Sequence, residues 1–171
     1  MRTALALAML AFGYCGVACA GPAYTANDII EKFAPAIEGK TRGICVGTEA
    51  ECGAATSRVE APVQDLRVTF DLNSATLTQS AKDNLDQFAL ALGDPRLASV
   101  AFSIDGHTDA RGGDSYNDEL SLRRAQAVAD YLRSKGIDVS KFSVKGFGKS
   151  HPLTQDPFDP ANRRVEAHLT Q

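Results

Sequence analysis

Asp109 and Arg124 are the residues whose types and placement point most directly to chemistry. Asp109 follows the alternating apolar stretch Val100, Phe102, Ile104, so it stands at the end of a strand, ahead of the loop Ala110-Arg111-Gly112-Gly113. Arg124 lies on the helix that follows, beside Ala125 and at the margin of an apolar stripe. A carboxylate and a guanidinium facing one site suit a zwitterion. The carboxylate takes an ammonium, and the guanidinium takes a carboxylate in bidentate geometry. Backbone N–H groups at the helix start favour an anion there as well. The competing reading is a simple structural salt bridge.

Two further patterns carry metal-ligating or phosphate-binding residue types. Asp105-x-His107-x-Asp109 puts three possible metal ligands on one strand face, the set a metal-assisted hydrolase would use. Gly106 marks the strand as ending, however, and no second His or acidic cluster follows at ligand spacing. The expectation is a hydrogen-bonded, structural His107. Gly146-Phe147-Gly148-Lys149-Ser150 imitates the end of a phosphate loop, but Ser143 stands where that motif needs its first glycine. His151-Pro152 also blocks continuation into a helix, so the segment reads as a strand-ending turn. No activated nucleophile and no Cys/His pair accompanies these patterns, which favours binding over catalysis. No metal and no cofactor is expected.

These residues need elements to hold them. Leu66, Val68 and Phe70 alternate with polar residues, as on a half-buried strand. Leu77, Ala81, Leu85, Phe88 and Leu92 then recur at helical spacing, with Thr78 as N-cap and Gly93 as C-terminal stop. Val100, Phe102 and Ile104 predict a second strand. A second helix runs from about Tyr116 to Lys135, burying Ala125, Val128, Ala129 and Leu132, with Gly136 ending it. Phe142 and Val144 predict a third strand. Val165, Ala167 and Leu169 predict a fourth, with Arg164, Glu166 and His168 turned to water. This order places helices on one layer of sheet, an α+β arrangement.

The chain has 171 residues, 44% hydrophobic and 23% charged, a length and composition that fit one globular domain with short appendages. A net charge of −3 argues against a nucleic-acid binder, and no apolar run is long enough for a mature transmembrane helix. Residues 1–20 read as a secretory signal peptide: Arg2, an Ala/Leu-rich stretch, then Ala18-Cys19-Ala20 as a cleavage site. The exported chain then begins at Gly21. The alternative is a lipoprotein acylated on Cys19, against which Gly16 stands where a lipobox wants Leu. Export leaves Cys45 and Cys52, expected to form one disulfide, since an oxidising compartment preserves such pairs. Closing this short loop contributes on the order of 2–3 kcal/mol. Residues 21–63 read as a largely irregular arm with one short helix over Thr25–Phe33.

Four ordered motifs carry a resemblance: Ile104-Asp105-Gly106-His107-Thr108-Asp109, then Asn117, then Leu120-Ser121 with Arg124-Ala125, and finally Asn162-Arg163-Arg164-Val165. Residues 64–171 resemble the C-terminal domain of outer membrane protein A, which peptidoglycan-associated lipoproteins and flagellar stator proteins share. The resemblance implies a βαβαββ two-layer sandwich, helices packed on a mixed sheet, that binds peptidoglycan without covalent attachment. It implies that Asp109 and Arg124 hold the amine and carboxylate of the diaminopimelate side chain. Phe70, Asp71, Thr108, Asn117, Leu120 and Arg163 match other positions of the family's pocket. The implied setting is the periplasm, associated with the outer membrane, with peptidoglycan and possible envelope proteins as partners. A metal-assisted cell-wall amidase or peptidase using Asp105, His107 and Asp109 is the second reading, and a purely structural assembly module with an idle pocket is a third.

Overall fold

The structure, a computed structural model, describes residues 21–38, 62–68, 70, 73–97 and 100–170. The expected leader, Cys45, Cys52 and Asp71 lie outside the described residues. Among the described residues, three α-helices pack on one face of a four-stranded sheet: α1 (Ala26–Glu38), α2 (Gln79–Leu92) and α3 (Asp114–Ser134). The strands are β1 (Val63–Asp65), β2 (Phe102–Gly106), β3 (Phe142–Gly146) and β4 (Val165–Leu169). Their order in the sheet is β1-β4-β2-β3; β2 and β3 run parallel, and β4 is antiparallel to both β1 and β2. From β1 onward the chain reads βαβαββ, the expected arrangement.

Local chemistry explains most of the boundaries. Thr78 caps α2, its side chain accepting from the Ala81 N–H at 3.2 Å, and Gly93 ends that helix. Asp28 and Thr25 close the start of α1: the Asp28 carboxylate accepts from Thr25 N at 2.7 Å and from its hydroxyl at 2.8 Å. This helix runs five residues beyond Phe33, to Glu38, and joins the core through Ile29, Ile30, Phe33 and Ala34. It is also tied by its lead-in, where Ala23 N donates to the buried Asn84 at 2.7 Å and the Tyr24 hydroxyl to Leu66 O at 3.1 Å.

The first strand differs from its sequence expectation. Its ladder covers only Val63–Asp65, because Arg67 takes φ 46° and its N–H turns back to Asp65 Oδ1 at 2.8 Å. Leu66, just before that turn, and Val68, just after it, stay buried, and among the described residues Phe70 pairs in an isolated bridge with Leu77.

Helix α3 lies close to the sheet. A Cβ on Gly106 would collide with the Ser121 carbonyl, and one on Gly146 would come within 2.5 Å of Leu122 N. Gly146 thus serves helix packing at the end of β3, and the phosphate-loop likeness of its segment has this structural cause. The apolar stripe Leu132, Val128, Ala125 continues along α3 toward its N-terminus as buried Ser121, Asn117 and Arg124. The core face therefore turns polar at the end nearest Asp109.

Candidate functional site

The end of β2 is held by backbone bonds from three directions. His107 N donates to Arg164 O at 2.9 Å, Thr108 N to Gly148 O at 2.8 Å, and Ala110 N to Pro157 O at 2.8 Å. Asn162, buried between β3 and β4, accepts from Leu153 N at 2.7 Å and donates to Asp156 O at 2.9 Å. It thereby sets the loop that delivers Arg163. Gly112, at φ +92°, makes the left-handed turn that brings the chain into α3.

Thr108, Asp109, Asn117, Leu120, Arg124 and Arg163 line one small cavity of about 40 Å³. Phe70, the seventh candidate, lies beneath Arg124 with its ring centre 5.0 Å from the guanidinium carbon. Asn73, Arg111 and Tyr116 line the cavity too, and sequence reasoning did not assign them to it. For Arg111 and Tyr116 a signal existed, since they stand beside Asp109 and Asn117 in the chain.

The two central charges differ in their surroundings. Asp109 Oδ2 accepts from Arg111 Nη1 at 2.7 Å and Arg163 Nη1 at 2.9 Å, and Oδ1 accepts from Arg111 N at 3.2 Å. Burial opposes its ionisation, but these bonds prevail and hold its carboxyl below the ordinary value. Arg124 is only 3% exposed and donates from Nε to Ser74 O at 3.1 Å. Among the described residues no carboxylate lies within ion-pair distance of it. Burial lowers its pKa, the Arg163 charge adds to that, and Asp109 opposes it. Asp109 and Arg124 therefore face one cavity without forming a direct salt bridge. The Thr108 hydroxyl is buried there without a hydrogen-bond partner among the described residues.

Asp105, His107 and Asp109 do not form one site. Asp105 and His107 line a different cleft, while Asp109 turns to the small cavity, because the strand ends at Gly106 and its alternation stops. Two other expectations need correction here. His107 is buried but not hydrogen-bonded: among the described residues neither ring nitrogen has a hydrogen-bond partner, and Glu166 Oε2 is 3.7 Å away. Arg164 and Glu166 do not face open water, because the segment after β3 covers their side of the sheet; Arg164 is 7% exposed.

Burial and the nearby Arg164 charge push the His107 pKa down to about 4, against the pull of Glu166, with His151 and His168 adding to the fall. The unfolded chain therefore takes up a proton before the folded one as pH drops. Stability from neutral His107 is full above its ordinary value near 6.5 and is lost between there and about 4. The melting temperature of the protein should fall by a few degrees across that window. In His107→Phe, which keeps a ring against Phe147, the fall should be visibly shallower; equal slopes would remove His107 as the cause.

Comparison with known proteins agrees with the fold. Outer membrane protein A of Escherichia fergusonii is 44% identical over 100 residues, covering 57% of this chain and 40% of that protein. The chain thus matches less than half the length of this relative. Among solved structures, the OmpA-like domain of FopA1 from Francisella tularensis superposes with a TM-score of 0.54 at 34% identity, covering 60% of this chain and 71% of that one. The peptidoglycan-associated lipoprotein from Burkholderia pseudomallei gives a TM-score of 0.51 at 28% identity, covering 60% and 86%. The sequence model of the OmpA family matches residues 69–166, a span that takes in β2, α3, β3 and every described residue of the cavity. On that match the chain belongs to the OmpA family.

Proposed function

We propose that this domain binds peptidoglycan non-covalently in the cell envelope, gripping the zwitterionic end of a diaminopimelate side chain between Asp109 and Arg124. The observation that carries the reading is Arg124, a buried guanidinium with no carboxylate in reach among the described residues. A buried charge is costly unless paired, and a ligand carboxylate would pair it. The unpartnered Thr108 hydroxyl beside it offers one more hydrogen bond. The name of the Burkholderia relative, a peptidoglycan-associated lipoprotein, supports the same ligand. Co-sedimentation of the purified protein with peptidoglycan sacculi tests it: wild type should pellet with the wall and Asp109→Ala should remain in solution. Pelleting of both would sink the reading. The metal-assisted hydrolase is not favoured, since its three residues are divided between two cavities.

The ligand ammonium has a competitor. Arg111 occupies Asp109, yet its side chain is 60% exposed and rests against Phe158 at 5.8 Å. Arg111 is the exposed partner of this pair, Asp109 being 8% exposed, and a guanidinium that stays largely in water gives up at most about 1 kcal/mol when it is displaced. Arg111→Ala should therefore tighten muropeptide binding, by up to about fivefold. Isothermal titration would show it, and weaker binding would mean that Arg111 contacts the ligand itself.

The domain's setting is the periplasm, associated with the outer membrane, after removal of residues 1–20. Intact mass should give a chain starting at Gly21 with Cys45 and Cys52 joined by a disulfide. An acylated Cys19 at the terminus, or two alkylatable thiols, would replace the respective parts of this expectation.

A further inference from the structure

The chain has three histidines, and all three line one cleft that wall-peptide binding does not use. It has a volume of about 540 Å³ and lies on the side of the sheet turned from the helices, beneath the segment 147–153. His107 is 4% exposed, yet among the described residues both its ring nitrogens lack a hydrogen-bond partner, as does Arg164 Nη1. Proteins leave few buried polar groups unmatched, because the unmade bonds are costly.

The charges around the cleft are mixed, and the mixture selects a ligand class. Arg164 Nε donates to Glu166 Oε1 at 2.5 Å. Glu166 Oε2 lies 3.2 Å from His168 Nε2, which is itself 3.4 Å from Asp105 Oδ2. An anion that reached Arg164 would meet Asp105 and Glu166, and an ammonium that reached those carboxylates would meet Arg164. Among the described residues no three His, Cys, Asp or Glu side chains are grouped to hold a metal ion. A zwitterion, which suits the unpaired Arg124 of the other cavity, finds no such free charge here, because Arg164 and Glu166 already pair with each other. Neutral hydroxyls, each donating and accepting, escape both repulsions. Apolar surface is present as well: Phe147 stacks on His107 with ring centres 5.6 Å apart, and Leu153 stands 58% exposed at the rim.

We propose that this cleft is a second binding site, for a neutral sugar ring. Its hydroxyls accept from Arg164 and donate to Asp105 and Glu166, while its apolar face packs on Phe147 and Leu153. The proposal stands apart from diaminopimelate binding, because Asp109 and Arg124 line the other cavity.

Titration of the purified protein, ¹⁵N-labelled in its histidine rings, tests the site, because every ring reports on this cleft. The probes are glucose and N-acetylglucosamine, with acetate, methylammonium and alanine in parallel. One of the two sugars should shift the His107 and His168 signals saturably, and Asp109→Ala should leave that shift intact. Glu166→Gln should weaken the apparent affinity at least about tenfold. Leu153→Arg, a rim change that leaves the buried network alone, should do the same and guards against misfolding of the first variant. Undiminished affinity in a folded Leu153→Arg would overturn the assignment of the cleft. Saturation by alanine, acetate or methylammonium but by neither sugar would overturn the ligand class, and no saturable shift with any probe would overturn the site.

Discussion

Arg124→Ala should weaken binding to peptidoglycan about 10- to 150-fold, the equivalent of one charge-assisted hydrogen bond at about 1.5–3 kcal/mol. Asp109→Ala should cost a similar amount by a different route. It removes the acceptor for the ligand ammonium and also leaves Arg111 and Arg163 without their shared carboxylate, so the cavity becomes strongly positive. The double variant should lose less than the sum of the two, since each single change already disables one grip. Arg124 is more than a ligand-facing charge: it donates to Ser74 O and covers the Phe70 ring, so its removal should loosen residues 70–74. Arg124→Gln keeps a donor and much of the volume, and should separate lost charge from lost packing. A ligand change is sharper still. Amidating the diaminopimelate carboxylate neutralises the group assigned to Arg124 while nearly preserving its size. Wild type should lose affinity for the amidated ligand, and Arg124→Ala much less. Equal sensitivity in the two proteins would mean that Arg124 touches something else.

Phe102→Ala should destabilise the fold by about 3–5 kcal/mol, the largest single effect expected on stability. Phe102 is fully buried at the centre of an aromatic cluster that joins four elements. Its ring meets Phe33 of α1 edge-on at 5.3 Å, Phe88 of α2 at 5.8 Å and Phe142 of β3 at 5.9 Å. Rigid rings on three sides give the site little scope to collapse, which puts the cost high in that range. A domain with about 5–15 kcal/mol in total would be left marginal. Urea unfolding should show a large drop in midpoint with the slope unchanged. Phe33→Ala, made alongside, measures the contribution of α1. A loss above about 1 kcal/mol would make the N-terminal helix part of the cooperative unit, and a neutral result would confine that unit to the region from β1 onward.

Much of this architecture was legible in the residues themselves, wherever the cause is local. The spacing of Ala81, Leu85 and Phe88, with Thr78 before them and Gly93 after Leu92, marks α2 without any knowledge of its neighbours. Period-two alternation in β2 and β4 likewise identifies which residues meet the helices. Asp109 and Arg124 could be paired in advance because one strand end, one loop and one helix separate them, a distance over which local geometry still dictates direction. The clamp on Asp109 was not visible in this way: Arg163 arrives from far along the chain, carried by a loop that Asn162 holds in place. The first strand was displaced because the backbone of Arg67, not any apolar pattern, ends the ladder. The histidine cleft shows the limit most clearly. Arg164, Glu166 and His168 alternate with core residues and read as water-facing, and the alternation is correct about which face they occupy. Whether that face meets water depends on what covers it, and only the tertiary path of residues 147–153 lays a wall across it, burying Arg164 and His107 with polar atoms unmatched.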